Sequence, residues 1–401
     1  GDTAWNGVIR GDDDNWNRYL ATRAAQNFSV IQFVANQWRG DALDEEGEPA
    51  CLSTDPLEIN PRFFQRLDHR IAMINNAGFI AVPVLLWSLL DSDIGNILSE
   101  DDAITLASYI VARYDAHQVA WLLGGDCDYP ARGVERWKHI GREVFSCGHN
   151  RLVSLHPCGV NWPGEEFRRE DWYDFIGYQS GHGDIDSHLA WLATGPPAQN
   201  WNAEPPLPVI NLEPNYETAY GYYGDTQHSE YDVRRAAYWS LLVSPPAGLT
   251  YGHDAVWNWN LTAGPSEGHG DWHHGRVPPW HTGLDTPGIR HMTVLRSIFE
   301  KLDWTTLTPA QHLLADQPGD ASIASFVAAA RAADGQVVAY APAGKEVTFS
   351  ATLPVPVRIV DPRTGTTAHI NEEPRTRVPL PDTRDWLVIA GGERNAPQTM
   401  E

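Results

Sequence analysis

Asp126 closes the run QVAWLLGGD (118–126), and Glu213 lies in PVINLEP (208–214). Two glycines before Asp126 allow a sharp turn that projects the carboxylate. Pro214 favours extended backbone at Glu213 and ends the run there. Two carboxyl groups facing each other can hydrolyse a glycosidic bond. One protonates the leaving oxygen while the other attacks the anomeric carbon or activates water. A separation of about 5–5.5 Å suits a retaining double displacement, and a wider one suits inversion. One carboxyl must keep its proton near neutral pH while the other stays ionised. We read Asp126 as the general acid/base and Glu213 as the nucleophile. Taken singly, an Asp after two glycines is more often a turn residue, and a Glu beside proline is more often solvated. Joint placement is what favours catalysis.

That placement follows from the elements. Val- and Ile-rich runs alternate with helical patterns, the signature of parallel βα units. The runs are 28–35, 79–87, 118–126, 151–159, 173–183, 208–214 and 247–257, with an opening run near DTAW (2–5). Helical spacing covers 15–27, 60–78, 99–116, 231–244 and 288–302. An α/β fold follows, a (β/α)8 TIM barrel over residues 1–307, with Asp126 after strand four and Glu213 after strand seven. A doubly wound open sheet is the alternative, but no GxGxxG follows the first strand. From residue 308 to 401 short alternating runs between Gly and Pro turns predict a small antiparallel β-sandwich.

Barrel sites lie at the C-terminal strand ends, and there the sequence is dense in polar and aromatic groups. In order they are Gln32, Asn36, Gln37, Trp38, Trp87, Asp126, Asp128, His156, Gln179, His182, Glu213, Tyr216, Glu217, His253, Asp254 and Trp257. Of these, Gln32, Trp38, Trp87, Asp128, His156, Gln179, His182, Tyr216, Glu217, His253 and Trp257 are taken as substrate-binding. The chain has 17 Trp, 14 Tyr and 16 His. Such side chains offer flat apolar faces to sugar C–H surfaces and polar edges to hydroxyls. Any single Trp is still more often an ordinary core residue.

Composition removes other classes. A net charge of −23 without a basic cluster excludes nucleic acid as a partner. The longest apolar stretch, FIAVPVLLW (79–87), is too short to span a membrane and contains proline. Cys51, Cys127, Cys147 and Cys158 lack zinc-ribbon spacing and read as isolated thiols, although a Cys127–Cys158 bridge is geometrically possible. His156 and His182 would need a further ligand to hold zinc, no HxH follows strand one, and HGDWHH (269–274) reads as cleft wall. No metal or cofactor is expected. The opening GDTAW carries no charged-then-apolar leader, which leaves secreted, periplasmic and cytoplasmic locations open. Oligomeric state is not legible.

Several motifs occur together and in order: GDTAW, RAAQNFSVIQ, WLLGGD, HPCG with YQSGH, NLEPNYE, and YDVRRAAYWSLL leading to AGLTYGH. Over about residues 1–305 this set resembles the group that includes the glycoside hydrolase family 140 apiosidases. The C-terminal part looks like the β-sandwich usually appended to these barrels. The resemblance implies a retaining barrel with an Asp acid/base after strand four and a Glu nucleophile after strand seven, matching Asp126 and Glu213. It also implies release of apiose from plant pectin side chains, particularly rhamnogalacturonan II, and with that substrate a secreted or periplasmic enzyme. Another glycosidase of the same barrel type (an arabinofuranosidase or β-glycanase), a non-catalytic carbohydrate-binding protein and a metal-dependent hydrolase are the competing readings. Substrate choice is expected to lie in the loops 40–55 and 264–280.

Overall fold

A computed structural model describes residues 1–36, 38, 42–145, 151–266 and 276–392. Gln37, Cys147 and HGDWHH (269–274) lie outside the described residues. Eight strands follow in chain order: β1 (Asp2–Thr3), β2 (Val30–Val34), β3 (Ile80–Trp87), β4 (Trp121–Cys127), β5 (Val153–Pro157), β6 (Ile176–Tyr178), β7 (Val209–Asn211) and β8 (Pro246–Leu249). The first five form one parallel sheet and the last three another, each in chain order.

Two seams join the sheets. At one, Asp2 makes a parallel bridge to Tyr251 just past β8. At the other, the Ser154 hydroxyl donates to the Phe175 carbonyl (2.6 Å) and accepts from Gly177 N–H (3.0 Å). A side chain at Gly177 would meet the Leu155 carbonyl oxygen at 2.4 Å, so only glycine lets the strands approach this closely. Alternating side chains sort into two clusters, as a strand with both faces buried requires. Ile31, Phe33, Ala81, Leu85, Trp121 and Leu123 pack among the helices. Val34, Val82, Val84, Leu122, Phe175 and Leu212 form an inner cluster to which both sheets contribute.

The helices begin where polar caps stand. Asp12 caps Asp13–Ala25, Asn60 caps Pro61–Asn76 and Ser99 caps Glu100–Tyr114, each accepting a backbone N–H of the first turn. Ser229 and Asp232 form a reciprocal capping box on Glu230–Leu242. Helices Val134–Val144 and Asp186–Thr194 are additional to those read from periodicity.

The C-terminal part is a six-stranded antiparallel sheet, in the order Thr308–Pro309, Ala328–Arg331, Val337–Ala341, Trp386–Ala390, Val357–Val360 and Thr367–Asn371. Ala328, Ala330, Val338, Tyr340, Leu387 and Ile389 join the core of the N-terminal part. Ala329, Ala339, Ala341, Val388 and Ala390 share a second core with Val347 and Val378 of a two-stranded sheet. Among the described residues no helix is long and apolar enough to cross a membrane.

Candidate active site

At the C-terminal ends of the strands lies a cavity of about 630 Å³. Asp126 and Glu213 both line it, with Trp5, Trp38, Trp87, Gln179, His182, Tyr216 and Trp257. The indoles form a connected wall: Trp257 meets Trp38 at 5.5 Å between ring centroids, Trp38 meets Trp87 at 6.2 Å, and Trp87 meets Trp5 at 5.3 Å.

Asp126 occupies the left-handed region, with φ of +54°. A non-glycine residue there is uncommon, and Asp is among the few that visit it. The expected division of labour is therefore reversed: the turn falls on the aspartate, and the glycines serve close packing. A Cβ on Gly125 would meet Trp87 and Val84 at 2.5 Å, and one on Gly124 would meet the Tyr129 hydroxyl at 2.7 Å. Asp126 is half-buried.

Glu213 is buried and held between two imidazoles. His182 Nε2 lies 2.9 Å from Oε1, and His156 Nε2 lies 3.3 Å from Oε2 at a poor hydrogen-bonding angle. His182 Nδ1 accepts from the Tyr216 backbone N–H at 3.3 Å. With Nδ1 engaged as an acceptor, the tautomer that serves both contacts carries its proton on Nε2 and donates to Glu213. Burial alone would raise the Glu213 pKa, but the two imidazoles beside it outweigh burial and hold the carboxyl at about 2. Burial first, and then the charges of Glu213 and Asp126, push the Tyr222 phenol well above its ordinary range. Both carboxylates thus lie within electrostatic reach of one ring.

The other sequence-predicted residues divide clearly. Trp38, Trp87, Gln179, His182, Tyr216 and Trp257 line the cavity, and His156 touches Glu213 from behind. Gln179 is buried with its Oε1 without a hydrogen-bond partner among the described residues. Four residues taken as substrate-binding are engaged elsewhere. Gln32 is fully buried, donates to Thr3 Oγ1 (2.6 Å) and the Leu212 carbonyl (2.7 Å), and does not line the cavity. Asp128 is exposed and caps the turn Tyr129–Arg132. Glu217 accepts from the Tyr251 hydroxyl (2.5 Å), Thr286 Oγ1 (2.7 Å) and Gly288 N–H (2.9 Å), fixing the start of helix Pro287–Phe299. His253 accepts from Ala255 N–H (3.1 Å) as the cap of helix Asp254–Asn258. A strand-end position does not distinguish a side chain facing the cavity from one turned toward the helices.

Sequence reasoning passed over Trp5, Leu89, Leu90, Cys158, Val160, His188, Tyr222 and Tyr223, all of which line the cavity. Trp5 follows β1 and was open to the same strand-end rule. His188 comes from helix Asp186–Thr194, and Tyr222 and Tyr223 come from the loop before Glu230, away from any strand end. In the described part of the 40–55 loop, Asp44 pairs with Arg66 and Glu45 with Arg70 on helix Pro61–Asn76, and Ala42 packs against the inner cluster. Cys127 and Cys158 are not bridged to each other. Among the described residues no group of three or more His, Cys, Asp or Glu is arranged to hold a metal ion.

Residues 1–306 match the apiosidase-like catalytic domain. The chain belongs to that family. No curated protein matches it. Among solved structures, a glycoside hydrolase family 5 protein from Bacteroides vulgatus superposes with a TM-score of 0.83 at 19% identity, covering 97% of this chain and 88% of that one. A second glycoside hydrolase gives 0.82 at 20% identity, covering 97% and 91%. A GH30 endoxylanase from Clostridium papyrosolvens gives 0.53 at 12%, covering 98% and 95%. At these identities the likeness is one of fold. Family membership makes this apiosidase-like chain a glycosidase.

One wall residue rests on an unusual support. Helix Asp254–Asn258 carries Trp257, and burial raises the Asp254 carboxyl to about 7 against the lowering effect of the Trp257 indole. A raised folded-state pKa means stability is fully present below the unfolded value near 3.8 and is lost as pH rises through about 7. Asp254→Asn is therefore expected to match the parent near pH 4. At pH 8 it should exceed it by up to roughly 4 kcal/mol in urea unfolding. A parallel pH dependence in the two proteins would refute this account.

Proposed function

We propose that the chain is a retaining apiosidase that removes apiose from pectic side chains, with Asp126 as general acid/base and Glu213 as nucleophile. The observation that carries this reading is the Glu213 carboxylate, held ionised by two imidazoles on the wall of the Trp-lined cavity it shares with Asp126. In the first step a Glu213 oxygen bonds to the anomeric carbon as the glycosidic C–O bond breaks, and the Asp126 proton passes to the leaving oxygen. In the second, Asp126 takes a proton from water, the resulting oxygen attacks the anomeric carbon, and Glu213 departs. The buried Gln179 Oε1 offers an acceptor to a sugar hydroxyl, and Trp38, Trp87, Trp257 and Tyr216 supply ring faces. Tyr216 and His156 back the nucleophile.

The same reading takes residues 1–307 as a closed (β/α)8 barrel and 308–401 as an appended β-sandwich. The chain order of the strands, the Asp2–Tyr251 bridge, the Ser154 seam and the shared inner cluster support the barrel. Action on plant cell-wall glycan places the enzyme outside the cytoplasm. With a net charge of −23, a uronate-rich backbone is repelled, so activity on such a substrate rises with salt. The test is a panel of apiosyl, arabinofuranosyl and β-glucan oligosaccharides, followed by NMR of the first-formed anomer. Release of apiose with retained configuration is expected. Cleavage of β-glucan or arabinofuranosides but not apiosides would overturn the substrate, and inversion would overturn the mechanism.

A further inference from the structure

The cavity has a closed floor and an open apolar lip. Trp5, Trp38, Trp87, Tyr216 and Trp257 are buried, whereas two lining residues are exposed: Leu90 is 41% and Tyr223 62% exposed. We propose that Leu90 and Tyr223 seat the leaving-group sugar, the residue to which the cleaved sugar is attached. This rests on the assignment of Asp126 and Glu213 made above.

Both residues are anchored from behind. Leu90 N–H donates to Asp93 Oδ2 at 2.6 Å, and its carbonyl accepts from Asn96 Nδ2 at 2.7 Å. Arg132, just after β4, donates to the Leu89 carbonyl at 3.2 Å and pairs with Asp91 at 2.7 Å. The Tyr223 hydroxyl lies 3.2 Å from His188 Nε2, with the two rings edge to face at 5.2 Å. Apolar surface displayed on anchored loops at a cavity mouth is ordered before a ligand arrives, which lowers the entropic cost of binding.

The side on which the lip stands identifies its occupant. β3 and β4 pair Trp87 with Gly125, and Ser88 N–H donates to the Gly125 carbonyl at 2.8 Å. The Leu89–Leu90 segment therefore leaves the sheet beside Asp126. A general acid protonates the leaving oxygen, so the sugar carrying that oxygen sits on the acid's side. Tyr223 reaches the lip from the loop before Glu230, next to Tyr222, which lines the same cavity as both carboxylates. Leu90 and the Tyr223 ring face suit the C–H surface of a sugar.

The experiment compares Leu90→Ala and Tyr223→Ala on two substrates, an oligosaccharide and the methyl glycoside of the same terminal sugar. Each variant should lower kcat/KM for the oligosaccharide about tenfold more than for the methyl glycoside. Equal effects on both substrates, or none, would overturn the proposal. Calorimetry with the leaving oligosaccharide alone supplies a readout independent of catalysis: wild-type binding should be lost in Tyr223→Ala. If wild type cleaves neither substrate yet binds that oligosaccharide through Tyr223, the seat stands and the assigned reaction fails. If it neither cleaves nor binds, both fail.

Discussion

Glutamine at position 213 is expected to lower kcat on the order of 10⁴-fold or more while the protein stays folded. Glutamine keeps the shape of Glu213 and leaves a carbonyl oxygen to accept from His182 Nε2, the shorter of its two contacts at 2.9 Å. It cannot form the covalent bond to the anomeric carbon. The two histidines hold the native carboxyl at about 2 against its burial, so Glu213 stays ionised across any ordinary assay range. The acidic limb of the pH–rate profile then does not belong to Glu213. Asp126→Asn should behave differently, losing about 10²–10⁴-fold in kcat/KM on sugar leaving groups and much less in kcat/KM on aryl groups that depart without a proton. Its kcat falls on both, because the second step loses its general base. Circular dichroism checks the fold, and kcat/KM on both leaving-group types, compared with kcat, checks the roles. A Glu213→Gln enzyme retaining a tenth of wild-type activity would end the assignment.

The parts of this arrangement legible in the sequence were those that a local rule reports. Val- and Ile-rich runs gave the strands, and apolar residues at helical spacing gave five of the long helices, four of them behind an Asp, Asn or Ser cap. Asp126 and Glu213 sit where strand order places them because the parallel connectivity leaves little freedom in which strand ends neighbour each other. Side-chain direction was less legible. Glu217 follows Tyr216 by one residue, yet Tyr216 lines the cavity and Glu217 turns away to hold helix Pro287–Phe299. His253 resembles His182 in its strand-end position, but it caps a short helix that the sequence did not announce. The glycine pair before Asp126 looked like a turn signal and proved to be a packing requirement of Trp87 and Tyr129, residues known to be neighbours only once the strands are paired. Tyr222 and Tyr223 were out of reach for a similar reason, since the loop between Thr218 and Ser229 carries no periodicity to orient it.

Asp385→Ala is expected to destabilise the protein by about 3–5 kcal/mol, the usual consequence of removing one partner from a buried ion pair. Asp385 is nearly inaccessible and accepts from Arg234 Nε (2.6 Å) and its second nitrogen (2.8 Å), the Tyr340 hydroxyl (3.0 Å) and Arg363 (3.1 Å). It joins helix Glu230–Leu242 to the C-terminal sheet, beside the stacked rings of Tyr238 and Tyr340 (4.7 Å) and the bond from Trp239 Nε1 to the Phe326 carbonyl (2.9 Å). Alanine would leave the Arg234 guanidinium buried without its counter-charge. The pair itself contributes less than its removal suggests, because desolvating both charges offsets much of their attraction. Replacing both residues together, as Arg234→Met with Asp385→Leu, should therefore cost less than Asp385→Ala alone. Urea unfolding of the two variants measures the difference. The helix begins at Glu230, two residues after His228, whose Nε2 lies 3.0 Å from the His182 carbonyl oxygen. Loosening this junction should thus weaken substrate binding as well as stability. A double variant no more stable than Asp385→Ala would mean that packing, and not the stranded charge, holds the two parts together.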